Sequence, residues 1–215
     1  MSHNLASTLR QSAALTTSFL AIAATTMSYG VQAQEVSEVK FQLYPTQQFV
    51  KCMAADPYVT PTVDVVVKRG VRNDTMKMTL NGFKPGLQFD LFSLENSPLL
   101  ADGNPNPNFK GFGLVWYQSD LRPGTTTVKT ILLDQIFGFD AAVGLKPTKT
   151  FHLGFWFNNP EDAKDCGFDP SKPTPFNGEQ KAGPLAFITR PVLPAGLGPL
   201  CTKPNTSTVP ATCDP

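Results

Sequence analysis

Apolar and polar positions alternate with a period of two along much of the chain. In Met76-Lys77-Met78-Thr79-Leu80 the apolar side chains fall on one side and the polar ones on the other. Leu87, Phe89 and Leu91 keep that phase, and Phe151, Leu153, Phe155 and Phe157 repeat it against His152, Gly154 and Trp156. Alternation of this kind marks half-buried strands. The β-branched run Val63, Val65, Val66 and Val67 reads as a strand as well. Strands are predicted over 36–44, 62–68, 75–81, 87–94, 111–118, 126–133, 150–157 and 184–189. Turn formers separate them: Lys84-Pro85-Gly86, Asp102-Gly103-Asn104-Pro105, Arg122-Pro123-Gly124 and Asn158-Asn159-Pro160. Beyond residue 33 no segment keeps a helical apolar period for three turns, and 140–143 is the one predicted helical turn. Parallel strands need crossover connections, usually helices. The expectation is therefore an all-β fold, an immunoglobulin-like sandwich of two antiparallel sheets.

The first 33 residues follow another pattern. Arg10 precedes a stretch of apolar and small residues from Ala13 to Met27, and Val31-Gln32-Ala33 places small residues around a cleavage point. This reads as a secretory signal peptide that leaves Gln34 as the new N-terminus. The stretch carries too many Thr and Ser for a membrane span, which needs about 20 apolar residues. No other run is long enough, so the predicted mature chain has no membrane span. Arg10 is the only charged residue in the leader, so the formal +1 of the full chain becomes zero. A neutral chain offers no field to a polyanion, which excludes nucleic acid as a charge-driven partner. After Arg190 the chain becomes Pro-rich and lacks aromatic residues. The predicted organisation is a leader (1–33), a β-sandwich domain (34–190) and an irregular tail (191–215).

Cys52, Cys166, Cys201 and Cys213 all lie in the predicted mature part. An even count behind a leader implies disulfides and an oxidising compartment, extracellular or periplasmic. Cys201–Cys213 and Cys52–Cys166 are the favoured pairs, with Cys166–Cys201 as the alternative that pins the tail to the body.

The segment Leu80-Asn81-Gly82-Phe83-Lys84-Pro85-Gly86-Leu87-Gln88-Phe89-Asp90-Leu91 resembles the corner between two strands of fibronectin type III modules, which runs Leu-x-Gly-Leu-x-Pro-Gly-x-x-Tyr-x-Val. The resemblance implies that Leu80 and Phe83 plug the core and that Pro85-Gly86 makes the turn. Phe89 stands where that family has a Tyr that bonds back across the corner. It covers the corner alone, and it supports a sandwich rather than membership of the family.

Candidate chemistry is sparse. His152 is the only His after the leader, sits mid-strand and has no nucleophile motif beside it, so it reads as structural. Glu161, Asp162 and Glu179 are loop carboxylates, and with an aromatic platform they suggest a carbohydrate-active enzyme as the alternative function. Asp102, Asn104 and Asn106 place oxygen side chains at every second position, a spacing that suits calcium. Glycine and glutamate are missing from the sixth and twelfth positions of a calcium hand, so the expected cofactor is none, with calcium as the one cation considered. The long loop 166–183 carries Phe168 and Phe176 and no strand signal. The expected function is a secreted binding or structural protein whose contact surface is Trp116, Tyr117, Trp156, Phe168 and Phe176. Its expected partner is a glycan, a cell-wall component or another protein.

Overall fold

The computed structural model describes residues 38–70, 73–131, 151–174 and 181–213, with backbone alone at 73 and 127–131. The predicted leader, the turn at 140–143, Phe176 and Glu179 lie outside these residues. Every predicted strand segment contains a strand: β1 (Glu38–Pro45), β2 (Thr62–Lys68), β3 (Asn73–Asn81), β4 (Phe89–Leu94), β5 (Val115–Leu121), β6 (Gly124–Ile131), β7 (His152–Phe157) and β8 (Leu185–Ile188). Alternation sorts the faces. Val63, Val65, Val67, Met76, Met78 and Leu80 are buried, while Asp64, Lys68 and Lys77 are exposed. β5 begins later than the sequence suggests, because Gly113 turns into the left-handed region at φ 73° and keeps 111–114 in a loop. The helix α1 (Val50–Met53) is too short to leave an apolar period of its own.

All strand pairs are antiparallel, in the order β5-β4-β7-β8-β1-β2-β3-β6. β1 joins the two halves. Its residues Glu38 to Leu43 pair with β2, and Tyr44 and Pro45 pair with β8. The ladder therefore continues around the bend instead of stopping at a sheet edge. The outermost strands β5 and β6 are consecutive and connect through Arg122 and Pro123. The result is one eight-stranded antiparallel sheet that is nearly barrel-shaped, in place of the two separate sheets expected. Period-two patterns tell which way a side chain points, but pairing partners are set by contacts far apart in the chain.

The inner faces of both halves fill one core. Phe155 stacks on Phe187 with centroids 5.2 Å apart and lies 4.9 Å from Phe89, and Phe83 sits 5.6 Å from Phe89. Leu80 and Phe83 are buried beneath the corner, and Gly86 takes φ 86° after Pro85. A positive φ at that place suits a type II turn and favours glycine. On the outer side of β4 and β7 a second layer forms, with Phe92, Leu94, Trp156 and Ile188 covered by Leu99, Phe112 and Val115. β4 and β7 are thus buried on both faces.

Both favoured disulfides are formed. Cys52 of α1 bonds Cys166 at the end of the 3-10 segment Pro160–Cys166, and Cys201 bonds Cys213. The second bond staples the small hairpin of β9 (Pro204–Asn205) and β10 (Thr212–Cys213). Leu197 and Leu200 are buried, so the tail packs on the body. Among the described residues no helix is long and apolar enough to cross a membrane. Two structural disulfides match an oxidising compartment.

Candidate functional site

The chain between β4 and β5 is the longest described connection, from Glu95 to Leu114. Loops beyond about 12–15 residues without elements of their own are often functional. Backbone bonds fold this one onto itself: Glu95 N donates to Leu114 O at 3.0 Å, Asn96 N to Phe112 O at 2.9 Å and Asn106 N to Pro98 O at 2.8 Å. The buried Ser97 hydroxyl donates to Thr189 O at 2.7 Å and ties the loop to the end of β8. Leu114 N donates to Glu95 Oε2 at 3.2 Å. At Gly113 a Cβ would collide with the Glu95 carboxylate and approach Asn96 Nδ2 to 2.9 Å, so the close approach requires glycine.

The fold of this loop leaves a cleft of about 430 Å³ lined by Asn96, Asn106, Asn108, Phe109, Lys110 and two glycines. Immediately after Gly113 the loop ends on the exposed Leu114, and the edge strand β5 then presents Trp116 and Tyr117, 53% and 50% exposed. A continuous run of rings links the cleft to Tyr117, whereas Trp116, one residue before it, points to the opposite face of β5. Phe109 meets Phe112 at 5.0 Å, Phe112 meets Trp156 at 5.1 Å, Trp156 meets Phe92 at 5.6 Å and Phe92 meets Tyr117 at 5.6 Å. Each contact is edge-to-face, the arrangement that ring quadrupoles favour. The inner rings hold the outer ones at fixed positions.

Tyr117 is held at its other end too. Its hydroxyl donates to Asp120 Oδ1 at 2.6 Å. Partial burial, then the Asp120 and Asp90 carboxylates, push the phenol up to about 12, so the group keeps its proton at any physiological pH. Asp90 and Asp120 face each other across the β4–β5 register, and Asn158 Nδ2 donates to Asp90 Oδ1 at 2.9 Å. This acid pair is invisible in the sequence, where thirty positions separate its members and only the register brings them together.

The five predicted contact residues divide. Trp116 and Tyr117 are exposed on β5. Trp156 is 2% exposed, beneath Phe112 and Phe92, and supports the surface from below instead of offering a face of its own. Phe168 folds back on the core with its ring 6.4 Å from Phe49, at the other end of β7. Phe176 lies outside the described residues. Asn96, Asn108, Phe109 and Phe112 belong to the site and were not singled out from the sequence. The Phe-Lys-Gly-Phe spacing of residues 109–112 was the available signal, masked by the strand expected over 111–118.

Asp102, Asn104 and Asn106 form turns. Asp102 accepts from Asn104 twice, from the backbone N and from the side-chain Nδ2, both at 2.9 Å, and Asn106 Oδ1 accepts from Asn108 N at 2.9 Å. These bonds, the backbone one foremost, hold the Asp102 carboxyl below its usual range. Asn104 turns an N–H towards Asp102, so the two do not aim oxygens at a common point. Among the described residues no group of three His, Cys, Asp or Glu side chains is placed to hold a metal ion.

The carboxylates of the enzymatic alternative sit elsewhere. Glu161 pairs with Lys164 at 3.4 Å on an exposed surface, and burial raises the Asp162 carboxyl while Lys84 opposes the shift. Both follow the end of β7, whereas loop 95–114 adjoins its start, where Leu94 pairs with His152. A six-residue strand separates the two ends by roughly 15–20 Å. Glu179 lies outside the described residues. His152 is buried with Nδ1 2.9 Å from Thr189 Oγ1, and burial lowers it to about 3, so it stays neutral in the core. The chain matches no protein-family model, no curated protein and no solved structure, so its functional reading stands on this geometry.

Proposed function

We propose that this is a secreted binding protein whose contact surface is the exposed edge of β5 together with the cleft under loop 95–114. The observation that carries the reading is the placement of Trp116 and Tyr117. Two large rings stand half in solvent on an edge strand, on a scaffold whose other large rings are mostly buried. Exposed apolar surface and concave clefts with convergent polar groups are the usual features of binding sites. What favours binding over catalysis is the distance of Glu161 and Asp162 from the aromatic surface: a glycosidase needs both carboxylates beside its substrate.

The test is cosedimentation with a panel of whole microbial and animal cells. Wild-type protein is expected to sediment with at least one cell type, and the double variant Trp116→Ala/Tyr117→Ala is expected to stay in the supernatant. Equal partition of the two proteins across the whole panel would overturn the reading.

A further inference from the structure

We infer that Arg190 anchors a second binding site, one that takes a carboxylate group end-on through the two Nη atoms of the guanidinium. The site goes beyond the β5 surface and shares no residue with it. Arg190 follows β8, and its side chain lies flat between two walls. On one face its Cζ stands 3.5 Å from the centroid of the Tyr44 ring, a cation–π contact. The other face is covered by Gly103, where a Cβ would collide with Cζ and with both Nη atoms. Gly103 also has φ 90°, so this approach requires glycine. The turn that carries Gly103 is closed by Leu100 N donating to Asn104 O at 2.8 Å and Gly103 N donating to Leu100 O at 2.9 Å. The backbone just before Arg190 is fixed as well, because Thr189 O accepts from the Ser97 hydroxyl at 2.7 Å. A group held in this way needs no reordering when a ligand arrives.

The cation so clamped has no counterion of its own. Its Nε is buried and meets no acceptor, and among the described residues no carboxylate forms an ion pair with the guanidinium. Asp102 feels the charge without pairing with it. Its carboxylate is engaged by Asn104 N and Nδ2, both at 2.9 Å, and these bonds outweigh Arg190 in holding it below its usual range. Arginine keeps its charge at every pH a protein survives. A charge taken partly out of water without a partner costs free energy, which a bound anion recovers.

The surroundings select the anion. With both faces covered and Nε buried, the Nη1–Nη2 edge is the part of the fork left for two parallel bonds. That edge matches a planar group with two oxygens, which a carboxylate supplies. The Asp102 charge opposes a second negative charge on the ligand and so disfavours a phosphate dianion. One guanidinium also gives little to a polyanion, whose affinity grows with the number of cations it meets. A uronic acid residue of a glycan and a small free carboxylic acid share the chemistry that remains, a single carboxylate.

The experiment is ligand-observed NMR titration of the full chain at low salt with trigalacturonate and with hexanoate. Each is paired with its neutral counterpart, the methyl ester of trigalacturonate and hexanamide, and inorganic phosphate and sulfate are run beside them. At least one carboxylate is expected to bind, and its neutral counterpart to bind at least about tenfold more weakly. Binding of trigalacturonate alone assigns the carboxylate to a glycan, and binding of hexanoate alone assigns it to a free acid. Arg190→Lys keeps the charge but loses the fork, and is expected to weaken binding about tenfold. Asp102 is exposed, so Asp102→Asn is expected to fold normally and to tighten binding about two- to threefold. That variant decides the matter if Arg190→Lys does not fold. Equal affinity for the acids and their neutral counterparts, tighter binding of phosphate or sulfate, or affinity unchanged by the substitutions would each overturn the inference. Its failure leaves the β5 reading standing, since cosedimentation is read through other residues.

Discussion

His152 shows how one residue can carry a pH dependence without taking part in function. Its ring is buried beside Thr189 and lowered to about 3, against about 6.5 in an unfolded chain. Between those values the unfolded chain takes up a proton that the folded one refuses. The contribution to stability is therefore complete above about pH 6.5 and declines as the pH falls towards 3, by up to about 1.4 kcal/mol per pH unit. Urea unfolding of wild type and His152→Gln at pH 7 and pH 4.5 measures it. Wild type is expected to lose about 2–3 kcal/mol more than the variant over that interval. Equal losses would show that the imidazole is already hydrated in the native state. Trp156 teaches the complementary lesson. In the sequence it is an aromatic residue on the same footing as Trp116, since alternation assigns it a face but not what covers that face. The cover comes from Phe112, forty-four positions earlier, through a loop whose path depends on Gly113.

Among elements, β7 is the one most fully read in advance. Phe155 and Phe157 point into the core and Trp156 points away, as alternation requires. Phe155 touches Phe89, Phe187 and Phe83 at 4.9, 5.2 and 6.5 Å, so Phe155→Ala is expected to cost about 3–5 kcal/mol in chemical denaturation. Trp116→Ala on β5 is expected to cost less than Phe155→Ala, because about half of the Trp116 side chain is in solvent while Phe155 is fully buried. That contrast makes Trp116 the better probe of binding. β5 was the least legible element. Gly111 and Gly113 sit within an apolar run that resembles a strand, yet their backbone conformations belong to a loop. The cleft exists because of that difference, which is why its Asn and Phe residues could not be assembled from the pattern alone.

For the whole molecule, the two disulfides secure ends that the sheet does not. Cys52–Cys166 spans 114 positions and Cys201–Cys213 spans 12. In the chain-entropy picture the long link contributes about 4–5 kcal/mol and the short one about 3 kcal/mol. Replacing each pair by Ala is expected to lower the thermal midpoint in both cases, and further for Cys52–Cys166. The reverse order would place the tail hairpin, not the α1 link, as the more important constraint.

By itself the sequence determined the β class, the location of the strands, the inward and outward faces and the preferred cysteine pairs. These depend on patterns within a few residues of one another or on the identity of four thiols. Tertiary structure alone decided that β1 serves both halves, that the sheet curls until β5 and β6 adjoin, and that Trp116 is half in solvent while Trp156 is covered. It also set Asp90 opposite Asp120 and strung the rings from Phe109 to Tyr117. Each of these is a pairing between distant segments, chosen by the free energy of packing the whole core, and no local period encodes it.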